Sequence, residues 1–189
     1  MHTPGQKRRR YTEAEAFQKL SALCAAAEYC KADIRQKLSR WELGSADSTE
    51  EQAATTEEPT ATTEEPTATG SEPAAERILA RLVRERYIDE NRYAHAFVRD
   101  KFRYNRWGRV RIAQELRRKG IPADTIDDAL AELPEADTLD TLRRLLQQKR
   151  PTVKGNTDYE VNMKLIRFAL SRGFELDAIR QVMSDEITI

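Results

Sequence analysis

At 189 residues, with 39% hydrophobic and 34% charged residues, the chain can hold one domain or a row of small ones, but it is too apolar-poor for one large core. No apolar run approaches the roughly 20 residues a membrane span needs, and Met1 to Arg10 carries no apolar stretch of the signal-peptide kind, so a cytoplasmic protein without membrane contact is expected. Cys24 and Cys30 lie six apart with no histidine nearby, which fits neither a zinc site nor a secreted disulfide framework, and both are expected to be reduced and structural.

The 32 Lys+Arg balance the 32 Asp+Glu, but the charges are segregated. Residues 1–43 hold 9 basic and 5 acidic side chains, 44–76 hold 0 and 9, 77–119 hold 14 and 5, 120–140 hold 0 and 7, and 141–189 hold 9 and 6. A strongly basic block between two acidic ones says more about partners than the net charge, because local fields decide what approaches a surface.

In chain order, residues 1–11 read as a disordered basic N-terminus. Thr12 with Glu15 forms a capping-box pattern, followed by Phe17, Leu20, Leu23 and Ala27 on one helical face. Ile34, Leu38 and Trp41 predict a second helix. Residues 44–73 contain no Lys, Arg, Leu, Ile, Val, Phe or aromatic residue, and Ala54 to Thr60 (ATTEEPT) recurs unchanged at Ala61 to Thr67. Such a segment cannot bury enough apolar surface to offset its conformational entropy, so a disordered acidic linker is expected.

Beyond the linker, Ile78, Leu79, Leu82 and Val83 predict a third helix, and Ile88, Tyr93, Ala94, Phe97 and Val98 a fourth. A fifth, on Val110, Ile112, Ala113 and Leu116, stops at Gly120, and Pro122 opens a sixth with Ile126, Ala129, Leu130 and Leu133. Leu139, Leu142, Leu145 and Leu146 mark a seventh. Thr157 with Glu160 caps an eighth that ends at Gly173, and Leu176, Ile179, Val182 and Met183 mark a ninth. The interval pattern from Ile112 through Gly120 to Leu130 recurs from Leu165 through Gly173 to Met183 with a one-residue shift at Ile126/Ile179, and the first unit fits once the linker is excised. The expected architecture is all-α: three tandem three-helix, helix-turn-helix-like repeats forming an elongated, curved protein, with repeat 1 over 12–88, repeat 2 over 89–134 and repeat 3 over 135–189. Modules of this kind bind DNA, but they also act as spacers and protein docking surfaces.

Catalytic chemistry is poorly represented. There is no glycine-rich phosphate loop, zinc-ligand cluster or nucleophile elbow, so no enzymatic activity and no cofactor are expected. His95 reads as a partly exposed helix residue, and Asp124, Asp127 and Asp128 as complements to a helix dipole rather than metal ligands. The positive signal is Arg99, Lys101, Arg103, Arg106, Arg109, Arg111, Arg117, Arg118 and Lys119, interleaved with Phe102, Tyr104 and Trp107. A merely solvated face mixes signs within a turn or two, whereas these like charges persist across two helices and their joint. Guanidinium groups suit phosphates or an acidic protein groove, and rings can stack on single-stranded bases. The candidate contact residues are Arg99, Lys101, Arg103, Arg106, Trp107, Arg109, Arg111, Arg117, Arg118 and Lys119. Reversing Arg109 and Arg111 to Glu is expected to abolish partner binding with helicity unchanged.

The stretch Tyr87-Ile88-Asp89-Glu90-Asn91-Arg92-Tyr93-Ala94-His95-Ala96-Phe97-Val98-Arg99 resembles a signature of the RecX regulatory proteins. Arg106 to Ile121, an aromatic-Gly joint running into a basic helix that ends in Lys-Gly-Ile, resembles the family's second block, and Ala32 to Leu38 and Lys164 to Phe174 resemble helices of its first and last repeats. The resemblance implies a monomeric cytoplasmic modulator that binds the RecA–DNA filament by lying in its groove or capping its end. Such a protein would suppress recombinase, ATPase and SOS-coprotease activities in DNA repair and recombination, with only weak, sequence-independent affinity for single- and double-stranded DNA. Two departures stand out: the acidic linker replaces a short connection, and Cys30 or Lys31 replaces the family's serine before the second helix, leaving that helix start weakly capped. The alternative is a stand-alone helix-turn-helix-like DNA-binding module, which predicts sequence preference and a steep salt dependence.

Overall fold

The structure, a computed structural model, describes residues 9–43 and 73–187. The expected linker therefore lies outside the described residues except for Pro73, as do residues 1–8 of the expected disordered N-terminus. Among the described residues the elements run β1 (Arg9–Tyr11), α1 (Glu13–Ala26), α2 (Lys31–Leu38), β2 (Trp41–Leu43), α3 (Ala74–Arg84), α4 (Glu90–Arg103), α5 (Arg109–Arg118), α6 (Ala123–Ala131), α7 (Glu135–Lys149), a short 3-10 turn (Arg150–Thr152), α8 (Asp158–Ser171) and α9 (Leu176–Ile187). They form two compact units, Met1–Ile88 and Asp89–Ile189.

In the first unit, α1 opens on the capping box its sequence announces. The Glu15 amide donates to Thr12 Oγ1 at 3.3 Å, and the Thr12 amide donates to the Glu15 carboxylate at 2.9 Å. These bonds to the charged form, the backbone one first, hold the Glu15 carboxyl below its ordinary range. Cys30 starts α2 without a side-chain cap, and its buried thiol instead donates to Asp33 at 3.2 Å. Both cysteines are free and buried. The core joins Ala16, Leu20 and Cys24 of α1 to Ile34 and Leu38 of α2 and Ile78, Leu79 and Leu82 of α3, closed by Ile88. Each fully buried aliphatic side chain there contributes about 1.5–3 kcal/mol of transfer free energy. Arg77 of α3 pairs with Glu13 of α1 at 2.8 Å, and Arg35 of α2 grips Glu76 of α3 through two bonds of 2.9 and 3.0 Å.

Two expectations are corrected in this unit. Arg9–Tyr11 is a strand rather than part of a disordered terminus, and Trp41 belongs to a strand rather than to the second helix. The two strands pair in parallel, Arg9 opposite Trp41, Arg10 opposite Glu42 and Tyr11 opposite Leu43. The pairing is held by the Tyr11–Trp41 ring contact (centroids 4.7 Å apart) and an exposed Arg10–Glu42 ion pair at 3.1 Å. Trp41 sits at helical spacing from Ile34 and Leu38, but its ring is satisfied by the N-terminal strand.

In the second unit, α4, α5 and α6 pack on one another, and so do α7, α8 and α9. Asp89 caps α4 by accepting the Arg92 amide at 3.0 Å. Tyr93, Ala94 and Val98 of α4, Ile112, Ala113 and Leu116 of α5, and Ile126 and Ala129 of α6 are buried. The second core is Leu142, Leu145 and Leu146 of α7, Leu165 and Ala169 of α8, Phe174, and Ile179 and Val182 of α9. Thr157 caps α8 through the Glu160 amide at 3.2 Å, while the Glu160 carboxylate accepts the Asn156 amide at 2.9 Å, one residue short of a reciprocal box. Both middle helices, α5 and α8, end on a left-handed glycine, Gly120 at φ 76° and Gly173 at φ 86°.

Candidate functional site

The basic residues of α4 and α5 do not form one uniform face. Arg99, Arg103, Arg117 and Arg118 are exposed, and Arg118 is braced by Glu115 of its own helix at 3.0 Å. Lys119 is half-buried, with its ammonium 5.7 Å from the Tyr93 ring centroid. Arg109 and Arg111 have structural work. Arg109 donates to the Leu133 carbonyl at the end of the α6–α7 connection, and Arg111 Nη1 donates to the Ser171 carbonyl of α8 at 3.0 Å. Reversing these two to Glu would place carboxylates against carbonyl oxygens and disturb the helix packing, so unchanged helicity is not the outcome the geometry favours.

The joint between α4 and α5 is held by backbone bonds on both sides. Arg106 adopts a left-handed conformation at φ 52°, and the Trp107 amide reaches back to the Lys101 carbonyl at 3.1 Å. The next residues bind the α8–α9 joint: the Gly108 amide donates to the Arg172 carbonyl at 2.8 Å, and the Val110 amide donates to the Gly173 carbonyl at 3.1 Å. A Cβ on Gly108 would lie 2.2 Å from the Gly173 oxygen, and one on Gly173 would lie 2.3 Å from Arg111 Cβ, so the two backbones meet only because both residues lack side chains. Arg172 Nη1 donates to the Asn105 carbonyl at 3.2 Å, and Arg106 bonds Gln148 of α7.

Around this staple the cations are held on rings. The Trp107 ring carries Arg111 at 4.2 Å and Lys101 at 5.4 Å, and the Phe168 ring of α8 carries Lys149 and Arg172, each at 5.3 Å. Lys101, Trp107, Arg111, Lys149, Phe168 and Arg172 are all half-buried, neither sealed nor free to wander. Lys149, Phe168 and Arg172 were not among the candidates of the sequence. The signal that finds them is the spacing of acids: 101–114, 141–157 and 161–174 together hold thirteen Lys+Arg and no Asp or Glu. Counting 141–189 as one block averages that away.

The remaining residues weighed in the sequence lie elsewhere in this unit. His95 Nδ1 lies 3.0 Å from Glu132, an ion pair when the imidazole is protonated that bridges α4 and α6. Asp124, Asp127 and Asp128 are exposed on α6, and no group of three His, Cys, Asp or Glu among the described residues is placed to hold a metal ion. A cleft of about 320 Å³ is lined by Arg109, Glu135, Thr138 and Phe174 among others, but its one hydroxyl, on Thr138, is committed to the Pro134 carbonyl at 3.1 Å. No helix among the described residues is long and apolar enough to cross a membrane.

The fold is that of a helical-repeat protein, with cations gathered around the joints of its second unit. Residues 89–130 match the family description "RecX, second three-helix domain", and residues 135–183 match "RecX, third three-helix domain". The chain is 32% identical over 110 residues to regulatory protein RecX of Trichlorobacter lovleyi, an alignment covering 57% of this chain and 71% of that protein. It is 32% identical over 113 residues to RecX of Prosthecochloris aestuarii, covering 60% and 72%. Against RecX of Clostridium botulinum it is 30% identical over 103 residues, 53% of this chain and only 48% of that longer relative. The fold resembles the crystal structure of RecX from Lactobacillus salivarius, with a TM-score of 0.66 at 15% identity over 94% of this chain and 97% of that one. A second crystal structure of regulatory protein RecX gives 0.67 at 21% identity, covering 91% and 71%. The chain belongs to the RecX family of regulatory proteins.

Proposed function

We propose that this protein is a non-catalytic, cytoplasmic and monomeric regulator that binds the RecA–DNA filament and lowers its recombinase, ATPase and SOS-coprotease activities, by occupying the filament groove or capping its end. The supporting observation is the cationic joint Lys101–Arg111, which falls within the region matching the family's second three-helix domain and is fixed by backbone bonds to its third. A surface whose cations are held in place loses little side-chain entropy when it meets a polyanionic filament.

For the second bundle, the alternative of a stand-alone helix-turn-helix-like DNA-binding module is opposed by α6. In such modules the last helix enters the major groove between phosphate walls. Here that helix carries Asp124, Asp127 and Asp128 and no Lys or Arg, a charge pattern phosphates repel.

The test is a titration of this protein into the single-stranded-DNA-dependent ATPase of its cognate RecA. Inhibition at substoichiometric amounts is expected, and an unchanged rate across the full titration overturns the proposal. Arg103→Glu with Arg117→Glu is the cleaner surface variant, because both residues are exposed and form no ion pair among the described residues.

A further inference from the structure

The cleft of about 320 Å³ lies between the first residue of α5 and the starts of α7 and α9, with room for a side chain or two. Leu139, Phe174 and Ala178 give it an apolar floor. The cation and the hydroxyl in its wall are already spent, Arg109 on the Leu133 carbonyl and Thr138 on the Pro134 carbonyl. What is left is rich in acceptors. Among the described residues nothing bonds the side chains of Glu135, Glu175 or Gln181, and Asp177 has only Arg180 at 3.7 Å.

Glu135 and Asp177 lie in the first turns of α7 and α9, where an acid complements the helix dipole. The dipoles do not explain why two helix starts bring their carboxylates to one apolar cleft. Carboxylates gathered this way repel one another and repel phosphate, so the cleft disfavours nucleic acid and favours a cation. The floor narrows the choice. A lysine offers a point charge to one carboxylate, whereas an arginine lays its aliphatic stem on the floor and forks a planar guanidinium between acceptors. Arginine is also enriched, and lysine depleted, at the centres of protein interfaces. We infer that this cleft is a docking site for a protein partner, filled by an arginine that the partner carries on an exposed segment beside an aliphatic residue. Such docking goes beyond the proposed filament binding and does not need it.

The experiment is proton–nitrogen correlation NMR of the full chain, titrated with a capped Gly-Leu-Arg-Leu-Gly peptide. Shifts confined to the amides of residues 135–139 and 174–181 are expected, weaker when lysine replaces the peptide's arginine and absent when glutamine does. Glu135→Gln with Glu175→Gln should weaken binding by roughly tenfold, the scale of one charge-assisted hydrogen bond. Ala178→Leu, which fills the floor and leaves every carboxylate in place, should weaken it as well and gives a second reading. Asp128→Asn, at an exposed acid of α6 outside the cleft lining, should change nothing. An absence of shifts up to the peptide's solubility limit overturns the docking site. So does an equal loss in Asp128→Asn, which would mark diffuse attraction between charges, or spermidine moving the same amides as strongly, which would mark a site for small cations. Oligo-dT moving them overturns it too. ATPase inhibition without peptide binding leaves the filament proposal standing and removes this one. Peptide binding without inhibition does the reverse.

Discussion

The middle helices of the three bundles leave their bundles differently. Both α5 and α8 end with a left-handed glycine whose following amide returns to the helix, Ile121 to Leu116 at 3.1 Å and Phe174 to Ala169 at 3.2 Å, so the chain turns at once into the next helix. In contrast, α2 ends at Leu38 with Ser39 still right-handed, has no glycine before Trp41, and runs on into β2, where the N-terminal strand covers it. The same bundle can therefore be closed by a tight glycine turn or by a borrowed strand, and only the second leaves room for a long insertion before the third helix. The two glycines also differ from each other. Gly120 has nothing within 4 Å of where a Cβ would be, so only its φ of 76° requires glycine, whereas Gly173 combines a φ of 86° with the approach to Arg111.

That contrast sets the order of expected effects. Gly173→Ala should be the most damaging, about 3–5 kcal/mol, because the strain of the left-handed conformation adds to a clash with backbone that is itself bonded in place. Gly120→Ala should cost about 1 kcal/mol, the conformational part alone. Each unit holds one of the two tryptophans, so urea unfolding followed by Trp107 fluorescence in a Trp41→Phe background reads these effects in the second unit. Equal losses at the two glycines would erase the distinction drawn between them. The smallest effect concerns the unit closed by strands. The bidentate bond from Arg35 holds the Glu76 carboxyl below its ordinary range, so its stabilising contribution is fully present above the ordinary carboxylate pKa and fades as pH falls through the depressed one. The pair is largely exposed, and solvent screening keeps that contribution slight. Acid unfolding followed by Trp41 in a Trp107→Phe background should show a shallow pH dependence that Glu76→Gln reduces, leaving the part that the depressed Glu15 carboxyl contributes.

The helices were legible because their signals are local: Thr12 with Glu15, Pro122 before α6, and Gly120 and Gly173 after α5 and α8 lie within a turn of what they govern. The strand pair was not, since three residues are too few for an alternation, and Arg9 lies opposite Trp41 across two intervening helices, a pairing no local signal announces. The site was half legible. Charge marked α4 and α5, but a guanidinium that will cap the carbonyl of Leu133 or Ser171 looks in sequence like one awaiting a partner. Lys149 and Arg172 escaped notice because acids elsewhere on α8 and α9 balanced them in the count, although none lies beside them in the chain.

The approach of Gly108 to Gly173 bears on how such a protein can be recombined with its relatives. Each glycine makes room for the other's backbone, so neither bundle carries the fit alone. A chimera that imports the last bundle from a donor whose own neighbour tolerates a side chain at the first position would dock badly however well each piece folds. The second and third bundles are exchangeable as a pair, and the unit of transplantation is the joint between them rather than the repeat.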